Sequence, residues 1–321
     1  MQYCRFALNE RPMCVWDMDI KKLNSDFIKA INSDYYEFIA ESNLKIIDDK
    51  EADKKDKVYA SVNLRIHYSL ALETLFALIG ALLQATDCIP GWLLKYRISE
   101  LKSLVKKINK NLPIKTRFSK IEKMSWESVA RVILNYYPNT DNKLKEETIK
   151  NYSTLFHNFA NDLLNERFQN EYNSIKHAFR IGVGGFSVEL VLSTKDEKVL
   201  EGAKNIQLTQ SDYGATFNYE EKLKKSPTNI RLKNLSRNWN PENFYHALRM
   251  IGVSIFNIRM YLAASHKIDI KDLHYKLVKP ENFKAPWKEI IGLGDWGFDS
   301  GFNYDSVRLL TDKQIMSVYD S

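Results

Sequence analysis

Asn173, Lys176, His177 and Arg180 fall within eight consecutive residues, and together they have the chemistry to hold a phosphate and move a proton. Asn173 and His177 are spaced i, i+4 and Arg180 follows three residues on, so on a helix all three can touch one ligand. An imidazole that titrates near neutrality transfers protons, and a guanidinium stabilises charge that grows on a phosphate. Attack of an RNA 2′-hydroxyl on its neighbouring phosphodiester needs those services and no metal. The plainer reading of the same row is a solvated helix face carrying one structural or solvent-exposed histidine.

The helix expected to position these groups runs from about Ile149 to Arg180. Phe156, Phe159, Leu163, Leu164, Phe168, Tyr172, Ile175 and Phe179 recur every three or four residues, the stripe of a helix packed on a core. At about 100° per residue, Glu166, Asn170, Asn173, His177 and Arg180 fall on the opposite face. Folding requires the stripe and has no evident need of the polar row.

A second helix is expected from about Lys57 to Ala85, stopping before Ile89-Pro90-Gly91. Its run from Leu70 to Leu83 is the most apolar in the chain, interrupted by Glu73. That run reads as too short and too polar to cross a bilayer, so a buried core helix is expected. Ser69, Glu73, Gly80 and Gln84 share one side, with Ile66 and Ala77 nearby, and small residues there would admit another helix closely. A carboxylate entering such a contact needs a cation or several donors. His177, Arg180 and Arg167 are candidate partners, as are Arg65 and His67 on the same helix. The alternative is that Glu73 is a structural hydrogen-bond acceptor.

The formal net charge is +7. Between Lys95 and Lys123 ten Lys or Arg face only Glu100 and Glu122. Leu94, Ile98, Leu101, Val105 and Ile108 mark an amphipathic helix over about 94–111, with Lys95, Lys102, Lys106, Lys107 and Lys110 outside. Lys102, Lys106, Lys107 and Lys110, with Lys176, are the expected contacts to a polyanion such as RNA. A solvated basic face of a lysine-rich chain is the competing reading, since no aromatic residues alternate with the charges.

The layout resembles the HEPN-like domains of bacteria, helical bundles with an acidic residue in an early apolar helix and a polar-His motif on a late one. Leu70-Ala-Leu-Glu73-Thr-Leu-Phe-Ala-Leu-Ile-Gly carries the first feature and Tyr172-Asn-Ser-Ile-Lys-His177 the second; the resemblance covers about residues 57–180. It implies a cytoplasmic protein, a metal-independent endoribonuclease of a toxin or antiphage defence system, needing no cofactor. His177 would be general acid/base, Arg180 or Arg167 would sit at the phosphate, and Glu73 and Asn173 would orient them. The implied partners are RNA, a second copy of the chain, and an antitoxin or other defence-system protein. The family pattern sets Arg four to six residues before His, whereas here Arg167 precedes His177 by ten, Arg180 follows it, and Asn173 stands in the Arg region. The alternative function is a non-catalytic module that binds nucleic acid or protein through helix 94–111 and the polar face of helix 149–180.

Elsewhere the N-terminal half reads as helical, with Leu23-Asn24-Ser25-Asp26 capping a helix through Ile39, a charged break from Asp48 to Asp56, and a short helix from Ser125 to Tyr136 before a turn at Pro138-Asn-Thr-Asp-Asn. After Gly182-Val-Gly184-Gly185 the period shifts toward two in Phe186–Leu192, Ile206–Thr209, Ala215–Tyr219 and Ile230–Leu232, which predicts three or four antiparallel strands. Asn240-Pro241 opens a helix to about Ala264. Trp287, Trp296, Phe298, Phe302 and Tyr304 suggest an aromatic loop covering the body.

The expected fold is mainly α, α+β overall: a helical bundle over 1–181, a small antiparallel β-sheet insertion over 182–238, and 239–321 as a C-terminal long helix packing back on the bundle, followed by the aromatic tail. Cys4, Cys14 and Cys88 are scattered and read as reduced thiols. No apolar leader is expected, no membrane partner, and no metal, since the histidines lack paired ligand spacing. Neither a serine nucleophile elbow nor a Walker-type loop occurs.

Overall fold

A computed structural model describes residues 2–17, 19–115, 120–138, 141–190, 206–222, 229–269, 274–287, 295–296, 307–308 and 311–319. The chain is mainly α with small antiparallel sheets, as the sequence pattern predicts. It divides into two compact units: Met1–Lys50 with Asn63–Gln169 and Pro241–Lys288, and Glu51–Val62 with Asn170–Asn240 and Glu289–Ser321.

The first unit opens on an element that the helical reading of the N-terminal half does not anticipate. Strands β1 (Gln2–Leu8) and β2 (Arg11–Asp17) form an antiparallel hairpin. Asn9 takes the turn at φ 52°, the left-handed conformation that two-residue hairpin loops require. Cys4, Phe6, Ala7 and Leu8 are buried. The turn is clamped by Gln84, whose Oε1 accepts from the Asn9 amide at 2.8 Å and whose Nε2 donates to the Asn9 carbonyl at 3.0 Å.

Helices α1 (Ile20–Ala30) and α2 (Asp34–Asp48) replace the single helix expected there, with the break at Ile31–Ser33. Helix α3 (Lys54–Gln84) contributes Leu64, Tyr68, Leu72, Leu75, Phe76 and Ile79 to the core. The expected basic helix also divides, at Tyr96-Arg97, into α4 (Ile89–Lys95) and α5 (Ile98–Asn109). A short hairpin of β3 (Ile114–Lys115) and β4 (Lys120–Ile121) leads to α6 (Trp126–Ile133), where the Ser125 hydroxyl accepts from the Ser128 amide. This is an N-cap satisfying an otherwise orphaned donor.

The small side of α3 is used much as its residue types suggest. A Cβ on Gly80 would lie 2.6 Å from Trp92 Cη2, so the indole of α4 rests where only glycine leaves room. Helix α9 (Pro241–Ser265) returns to pack on α2, α1 and α6, burying Leu248, Ile251, Ile255, Ile258 and Leu262. Contrary to the sequence expectation, α3 is long and apolar enough to cross a bilayer, as is α9. Their most apolar windows are, however, 61% and 67% buried in the protein, the burial a core helix shows.

The expected helix 149–180 is two helices, α7 (Asn142–Leu164) and α8 (Glu166–Lys176). Asn165 makes the break: its Oδ1 accepts from the amides of Arg167 at 3.0 Å and Phe168 at 3.4 Å, starting α8 as an N-cap residue does. Trp287 packs its ring 5.0 Å from Phe159 of α7. Phe298, Phe302 and Tyr304, named with it in the sequence, lie outside the described residues.

In the second unit the last turns of α8 lead into strand β5 (Ile181–Val183). Strands β6 (Ser187–Leu190) and β7 (Ile206–Gln210) pair as one antiparallel ribbon. The main sheet has β8 (Gly214–Lys222) between β5 and β9 (Asn229–Asn238). Strands β10 (Asp295–Trp296) and β11 (Val307–Arg308) both pair with β9, and helix α10 (Asp312–Tyr319) follows. Trp296 is thus part of a strand, not of an aromatic loop.

Candidate functional site

Helix α8 ends at Lys176, one residue before the histidine it was expected to carry. His177 is in the turn, and Ala178 and Phe179 follow at φ 65° and 49°, left-handed values that cost an L side chain about 1–2 kcal/mol each. Two backbone bonds hold this turn: the Phe179 amide donates to the Ile175 carbonyl at 3.2 Å, and the Arg180 amide to that of Ser174 at 2.7 Å. Arg180 Nε donates to the His177 carbonyl at 3.0 Å. Phe179, expected in the core stripe, is 50% exposed, because the left-handed turn carries it off the helix face.

The corner so formed gathers Asn173, Lys176, His177 and Arg180, all exposed. Lys176 Nζ lies 5.7 Å from the centre of the Tyr172 ring, close enough for a cation–π contact. Among the described residues no carboxylate pairs with Lys176, His177 or Arg180. The corner is therefore a small, uncompensated basic surface with an imidazole in it.

Beneath this surface lies a constellation absent from the sequence reading. Glu171 is fully buried on α8; its Oε2 accepts from Arg237 Nη1 at 2.8 Å and its Oε1 from Trp239 Nε1 at 2.7 Å. Arg237 is itself 7% exposed. Ser174 Oγ, one turn on, donates to the Asn218 carbonyl of β8 at 3.4 Å. These bonds fasten the inner face of α8 to the sheet and so fix the orientation of the outer face. The available signal was an acidic residue within the stripe, three after Phe168 and four before Ile175; assigning Tyr172 to the stripe instead hid it.

The other site candidates are placed elsewhere. Arg167 is exposed in the first turn of α8, in the part that clusters with the first unit. Glu73, also in the first unit, is half-buried and accepts from the Tyr96 hydroxyl at 3.0 Å. Its partner is thus a phenol, not one of the cations that the sequence offered. Arg65 is spoken for: buried in the core, it donates to Ser69 Oγ at 2.9 Å, and its guanidinium lies 4.9 Å from the Phe168 ring and 5.4 Å from that of Phe244. His67 bonds the Asn63 carbonyl through Nδ1 and the Tyr35 hydroxyl through Nε2.

The lysines of α5 divide in two. Lys106 and Lys110 are exposed. Lys107 is paired with Glu10, and Lys102 Nζ donates to Gln169 Oε1 at 2.6 Å. Burial holds the Lys102 ammonium below the usual lysine range, with the Glu73 charge opposing that shift. A residue already desolvated and bonded in this way is poorly placed to meet a phosphate. Among the described residues no three His, Cys, Asp or Glu side chains converge as a metal site would.

No family model, no curated protein and no solved structure matches this chain.

Proposed function

We propose that the protein binds RNA through the corner at the end of α8, as a HEPN-like module in which Lys176 and Arg180 meet the phosphates and Asn173 and His177 meet sugar or base. The observation that carries this is the uncompensated set of exposed cations on a corner whose inner side is locked by the buried Glu171 bonds. A rigid cationic surface releases counterions on meeting a polyanion, the main source of affinity for nucleic acid. Lys106 and Lys110 are a second pair of exposed cations, on the first unit.

Binding is favoured over cleavage because an acid–base histidine is normally oriented through its second ring nitrogen, and no such bond to His177 occurs among the described residues. Cleavage by a toxin or defence-type ribonuclease is the second reading, favoured by the open imidazole beside Arg180. One experiment separates them. Labelled single-stranded RNA is titrated with the whole protein over a salt series without metal, with gels of the same mixtures. Binding that weakens with salt, loses about 1.4 units of salt slope in the K176A/R180A variant, about 0.7 for each phosphate contact on a single strand, and leaves the RNA intact supports the module. Cleavage lost in H177A replaces it with the enzyme. Affinity unchanged in K176A/R180A ends both readings.

A further inference from the structure

Helix α1 presents one side to a cleft of about 840 Å³ inside the first unit, and the turn that ends α9 supplies another wall. The volume falls in the range of roughly 300–1,000 Å³ typical of small-molecule sites. Lys21, Lys22, Ser25 and Lys29 line the cleft from α1; at about 100° per residue they share an arc of about 100° on that helix. From the end of α9 come His266 and Lys267. Among the described residues no carboxylate pairs with any of these four lysines.

Both walls are fixed by bonds of their own. Asn24 of α1 is buried; its Nδ2 donates to the Thr86 carbonyl at 3.1 Å and its Oδ1 accepts from the Ile89 amide at 2.9 Å. At the C-terminal end of α1, the Arg259 guanidinium of α9 donates to the carbonyls of Ile28 at 3.2 Å and Lys29 at 3.0 Å. Lys267 stands at φ 53°, in a turn closed by the Ile268 amide on the Ala263 carbonyl at 2.9 Å. Glycine usually holds that place in a helix-ending turn. His266 Nε2 lies 3.0 Å from the Thr86 carbonyl. A carbonyl only accepts, so Nε2 carries the proton, and in the neutral ring Nδ1 is left as an acceptor.

We infer that this cleft binds a small sugar phosphate. The lysines of α1 and Lys267 neutralise the phosphate, while His266 Nδ1 and the Asp269 carboxylate, which also lines the cleft, accept from sugar hydroxyls. The charge balance favours such a ligand over a bare polyanion. The four lysines share the cleft with Asp19, Asp87 and Asp269, and only Asp19 is spent on capping α1, through the Lys22 amide at 2.9 Å. Carboxylates repel further phosphates but accept hydroxyls. No aromatic side chain lines the cleft, so a nucleobase has nothing to stack on. This site is separate from the corner at the end of α8 and does not depend on RNA binding there.

The test titrates the whole protein by calorimetry with glucose 6-phosphate, ribose 5-phosphate, glucose and inorganic phosphate. At least one sugar phosphate should bind with a submillimolar Kd, inorganic phosphate about tenfold or more weaker, and glucose not at all. Lys22→Ala/Lys29→Ala should lose about tenfold or more in affinity, whereas Lys106→Ala/Lys110→Ala on α5 should change nothing. Lys267→Gly removes a cation and relieves the left-handed turn, so the melting temperature should hold or rise while affinity falls. A merely structural Lys267 would show the first effect without the second. Inorganic phosphate bound as tightly as either sugar phosphate, neither sugar phosphate bound at millimolar concentration, or full affinity in Lys22→Ala/Lys29→Ala overturns the inference.

Discussion

Two helical carboxylates, Glu73 and Glu171, have opposite surroundings. Glu73 interrupts the most apolar run of the chain, which marks it for burial and ion pairing, yet it is half-buried and held by one phenol at 3.0 Å. Glu171 sits among polar neighbours, Asn170 and Asn173 included, yet it is wholly buried and bonded to a guanidinium and an indole. An acidic residue in an apolar segment can turn to the edge of its helix, whereas one in a polar segment can be drawn inward by partners far along the chain. What decides burial is the donor that tertiary structure delivers. For Glu171 that donor, Arg237, is 66 residues away.

The comparison breaks most readily at Glu171. Replacing either partner leaves a buried charge uncompensated, so Glu171→Ala or Arg237→Ala should cost about 3–5 kcal/mol in urea unfolding. A cost below about 1 kcal/mol would mean that the pair does not hold α8 to the sheet. Next is Gly80→Ala, where the added methyl meets the Trp92 ring; overpacking of this kind costs about 1–3 kcal/mol, and a smaller loss in thermal melts would show that the indole moves aside. Glu73→Gln keeps an acceptor for Tyr96 and should cost at most about 1 kcal/mol; a loss as large as that of Glu171→Ala would erase the contrast. Lys176→Ala and Arg180→Ala should change stability by no more than about 0.5 kcal/mol while weakening RNA binding, the mark of a surface group whose work lies outside the fold.

The smallest effect is a pH dependence at the hairpin turn. Lys107 chiefly, and Lys115, hold the Glu10 carboxyl below its usual value of 4.5. A carboxyl depressed in the folded state contributes stability above its unfolded pKa and loses it as pH falls through the folded one. Unfolding of Glu10→Gln should therefore match that of the unaltered protein at strongly acid pH and fall slightly behind it above about pH 4.5. A gap that widens with acidification would reverse the sign and exclude this pair as the cause.

Long elements built on sustained periodicity were legible: α3, α9 and the strands around Ala215–Tyr219 and Ile230–Leu232 stand where the patterns put them. What escaped depends on single side chains bonding to backbone. Asn165 divides a stripe that runs on regardless of it, since apolar spacing is blind to an amide that accepts from the next turn. The N-terminal hairpin has period-two burial in Cys4, Phe6 and Leu8, but Ala7 is buried with them and Pro12 lies inside the second strand. Proline is at home in such a two-stranded ribbon, where every strand is an edge. The corner at His177 was legible as a cluster of residues and not as a turn. Ala178 and Phe179 are left-handed without glycine, and no residue there announces it.

Because the first unit is assembled from three stretches of chain, its order of synthesis differs from its order in space. Residues 241–288 belong to the same core as residues 1–50, but 170–240 are made between them. At about 5–20 residues per second, those intervening residues occupy a ribosome for roughly 4–14 s. Throughout that interval the face of α2 that α9 will cover is bare. The nascent protein must pass through a partly dressed state lasting seconds, long by the standard of helix formation and collapse, with apolar surface of the kind that aggregates left open until its own last core helix arrives.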